Sequence, residues 1–139
     1  MSTDIATQAR TLKGTQVTIY TRHEQWDTVV DQGRLGHTTD VQLTYLRDRS
    51  ERGLPPELAR AMFSNIVALH ATGGSAVPAG EVRAGQVLSE APFAGAEVLA
   101  VEAPPEYGQG VIHLRTRTPE GTTASVHADA ATRLPIAPE

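Results

Sequence analysis

A run of glycine, proline and small side chains interrupts the middle of the chain: residues 73–80 read Gly-Gly-Ser-Ala-Val-Pro-Ala-Gly. Glycine weakens the interior of a helix or strand, and proline removes a backbone hydrogen-bond donor, so no regular element is expected to cross this run. We therefore divide the chain into residues 1–75 and 76–139 and expect the two parts to differ in secondary structure.

The two parts also differ in charge. Residues 1–75 hold eight basic and eight acidic side chains, whereas residues 76–139 hold four basic and eight acidic ones, which accounts for the whole net charge of -4. This balance excludes a protein that coats nucleic acid through bulk positive charge, but it is compatible with a local basic patch. Eleven of the twelve basic side chains are arginine, which is typical of a GC-rich, actinobacterial genome.

Composition sets further limits. With 139 residues, 40% of them hydrophobic, the chain can bury a core as one domain or as two very small ones. It contains no cysteine, which excludes disulfides, cysteine-ligated metals and thiol catalysis. No apolar run approaches the roughly 18 residues of a membrane span, and the N-terminus has no signal-peptide pattern. We expect a soluble cytoplasmic protein without a membrane partner.

Residues 1–75 are predicted to be mainly helical, and their clearest element is a helix over residues 55–71. Two prolines suit its first turn, Glu57 suits the N-terminal end of the helix dipole, and Gly73 begins the stop signal. A helix that is apolar on nearly all sides belongs in a core or an interface, so we predict self-association, as a homo-oligomer, through residues 58–69. Its apolar stripe consists of Leu58, Met62, Ile66 and Leu69, widened by Ala59, Phe63 and Val67.

Three shorter elements complete this part. Residues 16–21 are β-branched and alternate in polarity, which predicts a strand. Residues 23–32 are a second candidate helix, with Trp26 facing inward and Gly33 following its end. Residues 40–46 alternate as a strand does, yet Asp40 is a good N-cap and the charges that follow pair at helical spacing. We favour a helix that ends at Gly53.

Residues 76–139 are predicted to form short strands separated by glycine and proline. About five strands in so short a stretch favour a small barrel or a tightly curled sheet. The predicted fold class is therefore α+β, a helical N-terminal part packed on a small C-terminal antiparallel β-barrel or curled sheet, and we favour one shared core. The candidate strands are Val82–Leu88, Ala96–Glu102, Gly110–Thr118, Gly121–Asp129 and Thr132–Ile136.

The strongest turn signal in the chain is residues 118–121, Thr-Pro-Glu-Gly, with proline and glycine where a type I turn prefers them. A bulge at Gly121 would place Thr118 opposite Thr122 and thereby fix the register of a hairpin. One face is then apolar and predicts the core side, with Ile112, Leu114 and Val126. The other face pairs His113 with His127, Arg115 with Ser125 and Arg117 with Thr123.

This polar face is the candidate site, made of His113, Arg115, Arg117 and His127, with Asp129 as a further member. The simpler interpretation is a solvated sheet face with tolerated polar pairs. The functional interpretation is contact with a nucleic acid or another anionic ligand through the two arginines, since guanidinium groups suit phosphate. Two histidines without a placed carboxylate fall short of the usual zinc ligand set, so we predict no metal and no cofactor.

A second group of arginines consists of Arg47, Arg49, Arg52 and Arg60. Acidic residues are interleaved with them, which favours ion pairs within the chain. A helix-turn-helix that reads DNA is disfavoured, because the predicted helix over residues 55–71 is too apolar to face bases.

The sequence lacks the glycine-rich phosphate loop, the dinucleotide fingerprint and the nucleophile elbow. We therefore predict a non-enzymatic binding or assembly module, with accessory nucleic-acid or anion binding through the Arg/His face. The alternative is a small enzyme that acts on a polar or phosphorylated substrate through His113 and His127.

Overall fold

The computed structural model describes residues 5–23, 27–47, 53–72, 76–89, 93–102, 111–129 and 132–137. Strands dominate these residues, and the helical content is one short α-helix and two single 3₁₀ turns, Phe63–Asn65 and Ala79–Glu81. The elements are α1 (Ile5–Thr11), β1 (Gln16–His23), β2 (Asp27–Thr38), β3 (Gln42–Arg47), β4 (Glu57–Met62), β5 (Ile66–Ala71), β6 (Ala76–Pro78), β7 (Glu97–Glu102), β8 (Val111–Arg117), β9 (Thr123–Asp129) and β10 (Arg133–Pro135).

Eight of these strands form one mixed sheet. Its main path runs β4-β3-β2-β9-β8-β7, with β1 beside β2 and β5 beside β1, and β6 pairs separately with β10. The β2–β9 pair is parallel, whereas the β2–β3, β3–β4, β7–β8 and β8–β9 pairs are antiparallel. Among the described residues this strand order does not close on itself, so the sheet is open and the predicted barrel is wrong.

The chain separates into two compact units, and β2 contributes to both. The first unit comprises residues 1–21 and 31–72, and the second comprises residues 22–30 and 73–139. Residues 28–30 of β2 pair with residues 126–128 of β9 inside the second unit. The sheet of the second unit therefore includes a segment from the N-terminal half of the sequence, which local patterns did not indicate.

The prediction of a helical N-terminal part is wrong. Residues 55–71 form β4, the turn Phe63–Asn65 and β5 instead of a helix. The apolar stripe at helical spacing was misleading, because Leu58 and Met62 lie on the exposed face of β4 at 68% and 43% exposure. Pairing of β4 along the full length of β3 overrides the helical pattern. Self-association through residues 58–69 stays a prediction, but a helix does not mediate it.

Of the three other predictions for residues 1–75, one is confirmed and two are wrong. The strand over residues 16–21 is confirmed as part of β1. Residues 42–47 form β3, so the alternation was the correct signal and the favoured helix is wrong. Residues 27–32, assigned to a second helix, belong to β2, while Trp26 lies outside the described residues. β-Branched side chains at Thr28, Val29 and Val30 explain the preference for a strand there.

In the C-terminal part, four of the five predicted strands are confirmed as β7, β8, β9 and β10. The fifth, over residues 82–88, is wrong: Gly85 has a positive φ of 95° within a turn, and pairing is limited to isolated bridges at Val87 and Leu88. Sequence reasoning also missed β6, which lies inside the glycine- and proline-rich run and pairs with β10. Pro78 ends this three-residue strand, as expected where proline cannot continue a ladder.

Each unit has its own buried residues. In the first unit, α1 and strands β1–β5 enclose a cluster that consists of Ala9, Val17, Ile19, Leu35, Leu43, Tyr45, Ala61, Ile66 and Leu69. In the second unit, Val101, Leu114 and Val126 form one cross-strand row over β7, β8 and β9. Leu114 and Val126 are both 0% exposed, so this row lies in the core below the polar face of the hairpin.

A polar network borders the core of the first unit. Arg47 donates to both carboxylate oxygens of Asp31, with Nε–O distances of 3.1 and 3.0 Å, and forms a second ion pair with Glu57. The Tyr45 hydroxyl donates to Asp31 Oδ2 over 2.6 Å. Burial and the neighbouring Asp31 carboxylate raise the pKa of Tyr45. Burial alone would lower the pKa of Arg47, but hydrogen bonding to Asp31 and its charge raise it.

This network predicts a loss of stability at alkaline pH. Folded Tyr45 keeps its proton at a pH where the unfolded chain, with an ordinary phenol pKa of about 10, has lost it. The contribution of Tyr45 is therefore complete below about pH 10 and is lost as the pH rises above that value. We expect Tyr45→Phe to cost about 1 kcal/mol at neutral pH through the lost hydrogen bond, and to weaken this alkaline dependence. Urea unfolding at pH 8 and at pH 10.5 tests this, and equal alkaline losses in both proteins would contradict it.

Candidate functional site

The β8–β9 hairpin adopts the predicted register. Gly121 has a φ of +89°, and the backbone N–H of Thr118 donates to the carbonyl of Thr122 over 2.8 Å. The pairs His113–His127, Arg115–Ser125 and Arg117–Thr123 are therefore confirmed. The structure thus brings all four predicted site residues to one face of two adjacent strands, and the core side lies on the other.

Strand β7 adds two carboxylates to this face. Glu97 lies opposite Arg117, with 3.4 Å between Glu97 Oε1 and the Arg117 guanidinium, and Glu102 lies opposite His113. Glu102 Oε2 is 3.6 Å from His113 Nδ1. Strict alternation would put these two glutamates on opposite faces, but a register shift between Val98 and Ala100 brings them to the same one. Sequence reasoning missed both acids because no local signal marks that bulge.

The two histidines form a stacked pair. Their ring centroids are 4.4 Å apart and the ring planes differ by only 6°. His127 is 3% exposed, and the side chain of His113 is 15% exposed. Parallel stacked rings present their faces to each other, whereas joint metal chelation, or proton transfer from one ring to the other, requires ring nitrogens that point at a common atom. The pair therefore contributes to packing between β8 and β9.

Metal binding by this face has no support in the part of the chain that the structure describes. No group of three or more histidine, aspartate or glutamate side chains there is arranged to hold a metal ion. An open depression of about 690 Å³ lies elsewhere in the second unit. Its lining, residues 77 and 80–86, includes none of the four predicted site residues.

The exposed part of the face carries both arginines of β8 together with Glu97 and Glu102 of β7, whose side chains are 45% and 49% exposed. Arg117 is 53% exposed even with Glu97 beside it. Arg115 is also exposed, and it forms no ion pair with any residue in the described ranges. Its direct neighbours across the sheet are the small residues Ser125 and Ala100. The guanidinium of Arg115 can therefore be approached from solvent, and Asp129 lies on the same face two residues beyond His127.

The two described members of the second arginine group, Arg47 and Arg60, lie on opposite faces of the β3–β4 pair. Arg47 pairs with Asp31 and Glu57, which confirms ion pairing within the chain for that residue. Arg60 is exposed on β4, while Arg49 and Arg52 lie outside the described residues. The described residues on either side, Gln42–Arg47 and Glu57–Met62, are strands, so they do not form the helix-turn-helix that the sequence already disfavoured.

Comparison of the chain with protein-family models, with curated proteins and with solved structures gave no match. In the residues that the structure describes, no helix has the length and apolar character needed to cross a membrane. The chemistry of the face described above is therefore the basis for a functional proposal.

Proposed function

We propose that this protein is a non-enzymatic binding module that holds a phosphate group of its ligand at Arg115, with Arg117 beside it. The observation that carries the proposal is the exposed Arg115 guanidinium, which has small neighbours on both adjacent strands and no ion pair with a described residue. Guanidinium groups bind phosphate through two parallel hydrogen bonds, which favours a phosphate-bearing ligand over an uncharged one.

The surrounding carboxylates limit how many phosphates the face can contact. Glu97 partly neutralises Arg117, and Glu102 lies next to His113 at the other end of the face. A long nucleic acid that tracks a broad basic groove would meet these acids, so we propose that one or two phosphates are contacted. Binding of a single-stranded nucleic acid should then depend only weakly on salt. A plot of log K against log salt concentration should have a slope near -1.4 for two contacts (about -0.7 per phosphate).

We expect Arg115→Ala to weaken binding of a fluorescein-labelled oligothymidylate about tenfold at low salt, because one charge-assisted interaction is lost. Fluorescence anisotropy measures the affinity and its salt dependence. Arg117→Ala should have a smaller effect, since Glu97 already engages that side chain. Arg83→Ala is the matched control, because Arg83 is an exposed arginine of the same unit and does not belong to the β7–β9 face.

Two outcomes would overturn the proposal. One is the absence of binding at low salt to both the oligonucleotide and inorganic pyrophosphate. The other is equal binding by the wild-type protein and the Arg115→Ala variant. Competition with pyrophosphate distinguishes the two kinds of ligand. Tighter binding of the oligonucleotide than of pyrophosphate indicates a nucleic acid, and the reverse indicates a small phosphorylated ligand.

The stacked and largely buried histidines provide no argument for the alternative, a small enzyme that uses His113 and His127. A cytoplasmic location stays a prediction from composition and belongs to this proposal.

A further inference from the structure

One face of strands β3 and β4 combines exposed apolar side chains with cations. Leu58 on β4 lies directly opposite Leu46 on β3, and these side chains are 68% and 47% exposed. Met62, opposite Gln42, is 43% exposed. Arg60 lies between Leu58 and Met62, so β4 presents the alternating series Leu58, Arg60, Met62. We call this series, with Leu46, the β4 outer face.

No carboxylate of β3, of β4 or of residues 31–38 of β2 lies on this face. Asp31 and Glu57 lie on the opposite one, where both pair with Arg47. Arg34, which pairs with Leu46 in the β2–β3 register, adds a second exposed cation to the outer face. Neither Arg34 nor Arg60 forms an ion pair with a residue that the structure describes. Exposed apolar side chains beside two cations are complementary to a partner that presents both apolar and acidic groups.

The outer edge of β4 is suited to an extended peptide segment that would add to the sheet as a further strand. β4 stands at the end of the strand order, and among the described residues its neighbour is β3 alone. The second edge of such a strand can accept a further strand through backbone hydrogen bonds. Directly paired residues of adjacent strands lie on the same face. An added strand would therefore place every second side chain against Leu58, Arg60 and Met62.

We propose that the β4 edge binds an extended segment of another protein whose alternate residues are apolar, acidic and apolar. The acidic residue would pair with Arg60, and the apolar residues would cover Leu58 and Met62. This series is the same when it is reversed, so a parallel and an antiparallel segment both satisfy it. The site is separate from the Arg115 face and does not depend on the function proposed for that face.

A second copy of this chain fits the edge less well. Pairing two copies of β4 antiparallel in one continuous sheet places residues of equal parity opposite each other. If the two-fold axis passes through Arg60, the two copies of Arg60 pair with each other. If it passes through Ala59, Arg60 of each copy pairs with Leu58 of the other. Glu57, the one acid in β4, lies on the other face with Arg47, so no such register supplies Arg60 with a carboxylate.

Charge reversal tests the proposal. The probe is a fluorescein-labelled peptide of sequence Thr-Val-Thr-Glu-Thr-Val-Thr, and the matched probe carries lysine in place of glutamate. The wild-type protein should bind the glutamate peptide about tenfold more tightly than the lysine peptide, as expected for one charge-assisted interaction. Arg60→Glu should reverse this preference, and Leu58→Thr should weaken the binding of both peptides. Arg83→Glu is the matched control and should change neither affinity.

Hydrogen exchange provides a second readout, since the glutamate peptide should slow exchange of the backbone amides of β4 and leave those of β8 unchanged. Circular dichroism and thermal unfolding check that each variant folds, and the comparison of the two peptides on the wild-type protein stands without any variant. Equal affinity of the wild-type protein for both peptides would overturn the proposal. So would a dimer abolished by Leu58→Thr, which assigns the edge to a second copy, or binding to phosphatidylserine vesicles without peptide binding.

Discussion

Replacing Gly33 by alanine is expected to lower the free energy of unfolding by about 3 kcal/mol, because the added methyl group would overlap the neighbouring strand. A Cβ at this position would lie 2.5 Å from the carbonyl oxygen of Leu46 and 2.8 Å from Cδ2 of Tyr45. Backbone cannot give way there without disturbing the β2–β3 pair, and the Tyr45 ring is held by its hydrogen bond to Asp31. The clash therefore disrupts both packing and the polar network.

Gly36→Ala is the matched control, since it makes the same change in the same strand. Its nearest neighbour, Thr44 Oγ1, would be 3.4 Å from the new Cβ, which is close to an ordinary contact. We expect this variant to stay within about 0.5 kcal/mol of the wild-type stability. Urea unfolding of both variants measures the difference, and equal losses would show that the close approach at Gly33 is not the cause.

Leu114→Ala is expected to destabilise the second unit by about 3 kcal/mol, which combines the lost burial of the leucine side chain with the cavity left behind. Leu114 is 0% exposed and lies between Val101 and Val126 in the cross-strand row of β7, β8 and β9. Its flanking residues, His113 and Arg115, point to the polar face, so loss of this packing also loosens the candidate site.

Leu99→Ala removes the same side chain from the bulge of β7, where it is 36% exposed. The smaller change in buried area predicts a loss of about 1.5 kcal/mol for this control. Thermal and urea unfolding of the two variants give the comparison. A Leu99→Ala loss as large as that of Leu114→Ala would contradict the assignment of Leu114 to the core.

The hairpin was predictable because its information is local. Proline and glycine in the turn fix the loop, and a period of two then fixes which side chains share a face. The pairs His113–His127 and Arg115–Ser125 follow from these two rules alone, and the structure confirms them. The burial of the histidines did not follow, because alternation marks them as polar and does not show what packs above a sheet face.

The helix predicted over residues 55–71 is the opposite case, because non-local pairing determines the structure there. Its start signals, stop signals and apolar spacing all suit a helix, yet β4 pairs with β3 along six residues and β5 pairs with β1. Residues 55–71 are compatible with a helix and with two strands, and local propensity does not distinguish them. Pairing with β3 and β1 selects the strands. The bulge that brings Glu97 and Glu102 to one face was not predicted for a related reason. A bulge depends on the pairing with the neighbouring strand and has no reliable local sequence signal.

Parallel pairing of β2 with β9 has a consequence for the order of folding events. The backbone N–H of Ser125 donates to Asp27 Oδ2 across 98 residues of chain, so this contact closes a very long loop. Closing such a loop costs conformational entropy before any contact compensates for it, whereas the β8–β9 hairpin closes over a few residues. During synthesis, the start of β2 leaves the ribosome long before its partner exists. The edge of residues 28–30 that pairs with β9 therefore stays without its partner strand until the hairpin has been synthesised.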